Sequence, residues 1–338
     1  MTPREPRSDA GAADTRARVF GGRRKRGGSA EELMVPRAEF RSYYGRPVLK
    51  PPVWEWKVPA YLFTGGLAAG TSLLAAGADL TGRPALRRVG RTGSLAALLA
   101  SVYLLVADLG RPERFHHMLR VAKPTSPMSV GTWILSAFGP GMGVAAAAEV
   151  LPAGLRRSLP GRLLRAVARP AGLSSAVVAP AVASYTAVLL SQTAVPAWHE
   201  AHAELPFVFT GSAAASSGGF AMVLVPVEEA GPARTLAALG AATELVASKV
   251  LEKRLGLTAE AYTTGKAHGL RKWSERLTAA GLAGALFGHR SRAVSVAAGT
   301  ALFAGSALQR FGVFEAGVES TKDPKYVVVP QRQRANRR

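Results

Sequence analysis

The 338-residue chain contains no cysteine. That absence removes disulfides, cysteine-ligated zinc and any iron–sulfur cluster held by this chain itself. If such a cluster takes part in its chemistry, another subunit carries it. Histidine is nearly as scarce, with six residues at positions 116, 117, 199, 202, 268 and 289. All of them fall in loops or at the ends of apolar runs, so a haem held between two histidines inside a bilayer is not expected. Acidic residues are also few, 22 against 43 Lys and Arg, for a formal net charge of +21. No apolar stretch precedes residue 58, and no secretory signal is expected.

So strong a positive balance raises nucleic-acid binding as the first reading. The distribution of the charge argues against it. Lys and Arg crowd the first 57 residues, the last few, and short tracts between long blocks that are almost free of charge. Basic clusters flanking apolar blocks match anionic lipid and the Lys/Arg bias of membrane loops. Mean hydropathy is only +0.12, because the polar ends dilute it and the blocks use Ala, Gly, Ser and Thr. Small residues of this kind serve close helix packing in lipid.

A helix needs about 20 residues to cross the hydrocarbon core. Runs of that kind are predicted at Val58–Leu80, Val89–Asp108, Met128–Val150, Leu173–Val195 and Pro206–Val227. Trp54, Trp56 and Tyr61 stand where an interfacial aromatic belt belongs. Weaker runs follow at Thr235–Leu251, which carries Glu244 and Lys249, at Leu277–Gly288, and at Ala293–Phe311. The reading is therefore an all-α integral membrane protein of about eight transmembrane helices; a soluble helical bundle is the discarded alternative. Residues 1–45 are expected to be a disordered basic tail, 46–318 the membrane domain and 319–338 a C-terminal tail. Loops on both sides are basic, so charge bias does not fix the orientation, although the Arg-rich N-terminal segment favours cytoplasmic termini.

Chemistry concentrates at a few places. The loop after the second run reads Asp108-Leu-Gly-Arg-Pro-Glu-Arg-Phe-His-His. A boundary carboxylate such as Asp108 is costly unless paired or used, Arg111 and Arg114 are natural partners, and His116 or His117 can pass protons near neutral pH. The bland alternative is an interfacial loop whose charges meet water and headgroups. Trp198-His199-Glu200-Ala-His202-Ala-Glu204 forms a second cluster, on the same side if the helices run up and down. Its spacing is not a firm metal pattern, and a docking or proton-handling surface is the better reading. Glu244, embedded in the sixth run, is either functional or turned to a polar seam between helices. Asp79 and Glu149, at helix ends, read as interfacial. Tyr61 and Tyr185 lie in or near apolar helices and are able to hydrogen-bond a carbonyl, though belt or packing roles are commoner.

Three segments carry a resemblance: VPAYLFTGGLAAGTSLLA at 58–75, DLGRPERFHHMLRVAKPTSPMSVGTWIL at 108–135, and RFGVFEAGVESTKDPKYVVVPQR at 310–332. Over about residues 45–332 the chain resembles the NrfD/PsrC-type membrane subunits of polysulfide reductase-like molybdoenzymes. The resemblance implies a haem-free anchor of two four-helix bundles, not catalytic on its own. It implies a bound quinone, menaquinone being the expected one, near the face where a four-cluster ferredoxin-like iron–sulfur subunit docks. That subunit exchanges electrons with a molybdopterin catalytic subunit in anaerobic electron transport at the cytoplasmic membrane. Carried over residue by residue, the quinone site takes Tyr61, Asp108, Arg111, Arg114, His116 and His117, while Trp198, His199 and Glu200 line the same face for docking or proton transfer. A formate dehydrogenase-like complex is the favoured case, with polysulfide, thiosulfate and tetrathionate systems left open. The alternative is a proton-conducting or secondary transporter module, with Asp108, His117 and Glu244 as its proton path.

Overall fold

A computed structural model describes residues 48–288 and 291–336; the expected N-terminal tail, 1–45, and His289 lie outside the described residues. Among the described residues eight long helices follow one another: α1 Lys57–Leu80, α2 Pro84–Ala107, α3 Pro127–Val150, α4 Leu159–Ser191, α5 Leu205–Leu224, α6 Gly231–Arg254, α7 Gly265–Phe287 and α8 Arg292–Lys322. A shorter helix, α9 Lys325–Ala335, ends the described chain. Proline opens α2 to α6 in the first turn, where its missing N–H is not needed. Ser126, Ser158 and Ser291 cap α3, α4 and α8 by accepting the N–H of Ser129, Gly161 and Val294. Gly82, at φ +68°, turns the chain between α1 and α2.

Helices α1 to α5 are long and apolar enough to cross a membrane. Helices α6, α7 and α8 are of comparable length but carry more polar and charged residues. Many large apolar side chains point outward, Val177 81%, Leu239 64% and Phe287 83% exposed, while Ser, Thr and even Arg are buried between helices. An apolar outside of this extent is what lipid, rather than water, accommodates.

Sequence neighbours pack as pairs, α1 on α2, α3 on α4, α5 on α6 and α7 on α8. α1 and α4 also pack on one another, as do α5 and α8, and α1 meets α5 at the centre. The contacts depend on small residues. A Cβ on Gly70 of α1 would lie 2.3 Å from Ser217 Oγ of α5, and one on Gly219 of α5 would lie 2.6 Å from the Gly299 carbonyl of α8. Buried hydroxyls tie helix to helix through carbonyls: Ser94 Oγ to Ala68 O at 2.7 Å, Ser175 to Phe138 at 2.8 Å, and Ser274 to Gly305 at 2.7 Å.

The observed helices correct several expected boundaries. α4 begins at Leu159, well before the expected Leu173, and runs through Pro170 and Pro180. α7 begins at Gly265 rather than Leu277. α8 continues past Phe311 to Lys322, so the expected tail boundary at 319 falls inside a helix, and Tyr326 of α9 is buried beyond it. In each case the helix carries on through polar residues that hydropathy counts as its end. Arg271, Ser274, Thr278, Gln309 and Arg310 are buried against neighbouring helices.

Asp79 and Glu149, expected to be interfacial, are ion-paired at the helix ends. Arg91, 6% exposed, reaches from α2 to both, with Nη2 3.0 Å from Asp79 Oδ2 and Nη1 3.0 Å from Glu149 Oε1. Arg87 adds a contact of 2.7 Å to Glu149 and one of 3.7 Å to Asp79, and Arg169 of α4 stands 3.7 Å from Asp79. This network joins α1, α2, α3 and α4 at the end away from residue 57.

Candidate functional site

At the opposite end, a cavity of about 200 Å³ lies between the start of α1, the end of α2, the start of α3 and the last turns of α4. Its walls are mostly apolar: Val53, Val58, Leu105, Met118, Met128, Leu135 and Leu189. Three ionisable side chains line it, namely Tyr61, Tyr185 and Asp108. An apolar slot with a few convergent polar groups is the usual form of a small-molecule site.

The sequence builds this slot locally. Tyr61 sits in the first turns of α1, is 4% exposed, and its carbonyl accepts the Ser101 hydroxyl of α2 at 3.2 Å. Tyr185 of α4 lies against Gly131 of α3, where a Cβ would be 2.4 Å from its Cε2; only glycine leaves the ring room. Asp108 caps α2, its N–H bonding back to Leu104 and Val106. Lys57 of α1 donates to the Ala107 carbonyl of α2 at 3.4 Å and pairs with Glu55 at 3.2 Å. Burial pushes the Asp108 carboxyl above the ordinary aspartate range, against the opposing pull of Lys57. Val53 and Met128, which line the slot, are 79% and 47% exposed.

Of the expected site residues, Tyr61 and Asp108 are brought together in the cavity. Arg111, Arg114, His116 and His117 stand on the exposed loop and 3-10 turn, Pro112–Leu119, that follow Asp108. The loop reaches the cavity through Leu109, Gly110 and Met118 instead. His116 and His117 lie edge to face at 4.4 Å. Trp54 and Gly131 also line the cavity, yet nothing in their sequence context separates them from belt and packing residues.

The second cluster divides. Trp198 is 0% exposed: its indole N–H donates to Val313 O at 2.8 Å, and its ring stacks on Trp54 at 5.7 Å and meets Phe314 at 5.6 Å. It packs against Gly317, where no Cβ fits, and it is a core residue rather than a surface for docking. His199 is exposed and contacts the Ser191 carbonyl at 3.0 Å, while Glu200 pairs with Arg334 of α9 at 3.0 Å. Both edge a broad groove of about 890 Å³ shared with Gln192, Tyr326 and Arg334. Since Trp54 lines the cavity and stacks on Trp198, groove and cavity share one end of the molecule. Glu204 pairs with Arg254, 2.6 Å from its Nη2, and takes no part in a cluster with His199 and His202. Glu244 lies apart, inside α6 and 2% exposed.

Compared with known proteins, residues 48–239, more than half of the chain, match the family model described as "Polysulphide reductase, NrfD". The matched span covers all of the cavity and its neighbouring loops. No curated protein matches the chain.

Proposed function

The chain belongs to the NrfD polysulphide reductase family of membrane subunits of quinone-linked molybdoenzyme complexes, and we propose that it is the quinone-reactive anchor of such a complex. In this reading eight spans form two four-helix bundles in the cytoplasmic membrane, and the first bundle holds the quinone. The observation that carries the reading is the cavity where Tyr61, Tyr185 and Asp108 converge between apolar walls. Its volume, about 200 Å³, suits a ring-sized head group, with the side at the exposed Met128 left for a tail.

The quinone supplies two-electron, two-proton redox chemistry when bound. The tyrosine hydroxyls are available as donors to a carbonyl oxygen of the ring. Asp108 holds or releases a proton at its carboxyl oxygens, since burial keeps it protonated to higher pH than an ordinary aspartate. His116 and His117, exposed beside it, hand that proton to or from water, and Arg111 and Arg114 orient the loop. The groove edged by His199, Glu200 and Arg334 receives an iron–sulfur subunit, which brings electrons to within reach of the cavity from a molybdopterin subunit, formate dehydrogenase-like in the favoured case.

Mild-detergent purification from native membranes tests the proposal. Co-purification of a ferredoxin-like iron–sulfur subunit, a molybdopterin subunit and extractable menaquinone is expected, with no haem Soret band attributable to this chain. A chain recovered alone and without quinone would argue against it.

A further inference from the structure

The second set of helices contains a polar cleft that the quinone reading does not use. It measures about 290 Å³ and lies between α6, α7 and α8. Glu244, Ser248 and Glu252 recur every fourth residue along α6 and form one wall. Arg271, Ser274 and Glu275 of α7 and Gln309 of α8 form the others. The cleft's exposed edge carries His268 and Lys249, the latter 52% exposed. Near this edge the charges are matched: Arg271 to Glu252 at 2.9 Å, and Lys249 to Glu275 at 2.9 Å.

The bottom is different. Thr278 Oγ1 stands 3.4 Å from Glu244 Oε1 and the Ser212 and Ser306 hydroxyls also face the carboxyl, yet Oε2 has no well-formed hydrogen bond among the described residues. Arg310 of α8, 1% exposed, supplies the nearby positive charge. It donates to the Phe209 carbonyl at 2.6 Å and lies 3.8 Å over the Phe209 ring, yet Nε and Nη1 are likewise without a partner among the described residues. Ser306 Oγ and Arg271 Nε share that condition. Five buried polar atoms left so within one region are far from the near-complete pairing of a settled core.

On either side of the cleft, α5 packs on α6 and α7 on α8. A Cβ on Gly211 would lie 2.7 Å from the Glu244 N, one on Gly240 2.5 Å from the Ala215 N, and one on Gly218 2.5 Å from the Ala233 carbonyl. On the α7–α8 side a Cβ on Gly281 would meet Leu302 at 2.5 Å.

We infer that Glu244 is a proton-exchanging carboxyl at the foot of a hydrated cleft, taking and returning protons through the exposed edge beside Lys249 and His268. The O–H bond forms at Glu244 Oε2 as a hydronium that has entered the cleft from bulk water gives up its extra proton and leaves as water, and it breaks in the reverse step, returning the proton to water. Arg310 stabilises the carboxylate left behind. The charged groups facing Glu244 are Arg310 from α8, Arg271, Lys272, Glu275 and His268 from α7, and Lys249 and Glu252 from α6 itself; the facing part of α5 contributes Ser212 and no ionisable side chain.

Dicyclohexylcarbodiimide, which modifies protonated carboxyls in apolar surroundings, tests the exchange on the wild-type complex in native membranes. Peptide mapping is expected to find the adduct on Glu244 at acid pH, its yield falling as pH rises, with the ion-paired Glu149 unmodified. An unmodified Glu244 at every pH overturns the inference. Because the reagent also enters through lipid, the route is read separately from deuterium uptake at the carboxyl infrared band. Ser248→Leu, which fills the cleft above Glu244, is expected to slow that uptake several-fold; unchanged uptake overturns the cleft as the path. Neither readout depends on quinone, so failure here is distinct from failure of the quinone assignment.

Discussion

Asp108→Asn is expected to lower quinone-linked turnover about a hundredfold, the low end of what a positioned acid–base group contributes, while membrane insertion and assembly with partner subunits are unchanged. The argument rests on position. Asp108 lies at the end of α2, outside the membrane-crossing segment, and lines the cavity beside Tyr61. Asparagine keeps the shape of the side chain and its ability to accept at the end of the helix, but cannot carry a proton. The pH profile separates this role from a structural one. Burial shifts the Asp108 carboxyl upward, so the wild-type profile contains a limb at higher pH than an ordinary aspartate gives, with the protonated form present below it and lost as pH rises through it. The variant lacks that limb. Normal turnover with an unchanged profile would remove Asp108 from the site.

Arg91→Leu is expected to have the largest effect on stability. Asp79 and Glu149 have side chains only 10% and 11% exposed, and Arg91 is the cation that bonds both at 3.0 Å. Breaking a buried ion pair from one side costs about 3–5 kcal/mol, because the carboxylates keep their desolvation cost without compensation. Arg87 remains within reach of both, which places the expected loss near the low end, about 3 kcal/mol. Arg91→Lys falls between wild type and leucine, since an ammonium lacks the fork that spans two carboxylates. Thermal inactivation of the solubilised protein measures the loss. Combining Arg91→Leu with Asp79→Asn and Glu149→Gln is expected to recover part of it, as the stranded charges are then gone. Equal stability of Arg91→Leu and wild type would mean that the network does not hold α1 to α4 together.

Much of the fold was legible because lipid imposes a simple rule on sequence. α1, α3 and α5 begin and end close to the expected runs, for they carry almost no charge, whereas α2 starts five residues before the expected Val89 and takes Arg87 and Arg88 into its first turns. The rule weakens where one helix buries its polar residues against another. Arg310 stands near the expected end of the eighth run, and hydropathy cannot distinguish an arginine at a boundary from one buried over Phe209. Nor does local sequence show that Arg87, Arg91 and Arg169 converge on Asp79 and Glu149, which is a property of helix packing.

The site was legible in part on the same grounds. Tyr61 and Asp108 could be singled out because a tyrosine in an apolar first turn and a carboxylate at a helix end are individually unusual. The partnership of Tyr185 with Gly131 joins α4 to α3 across 54 positions in sequence, and no local pattern announces it. Trp198 misled in the opposite direction. Its neighbours His199 and Glu200 face outward, and a five-residue helix turned by Pro196 hides the indole between Trp54, Phe314 and Gly317.

Photo-crosslinking with an azido-quinone in the native complex tests the central claim most directly. The account predicts label on peptides carrying Tyr61, Met128 and Tyr185, displaced by excess unmodified quinone. Displaceable label confined to the Glu244 cleft, or to the groove beside His199, would contradict it.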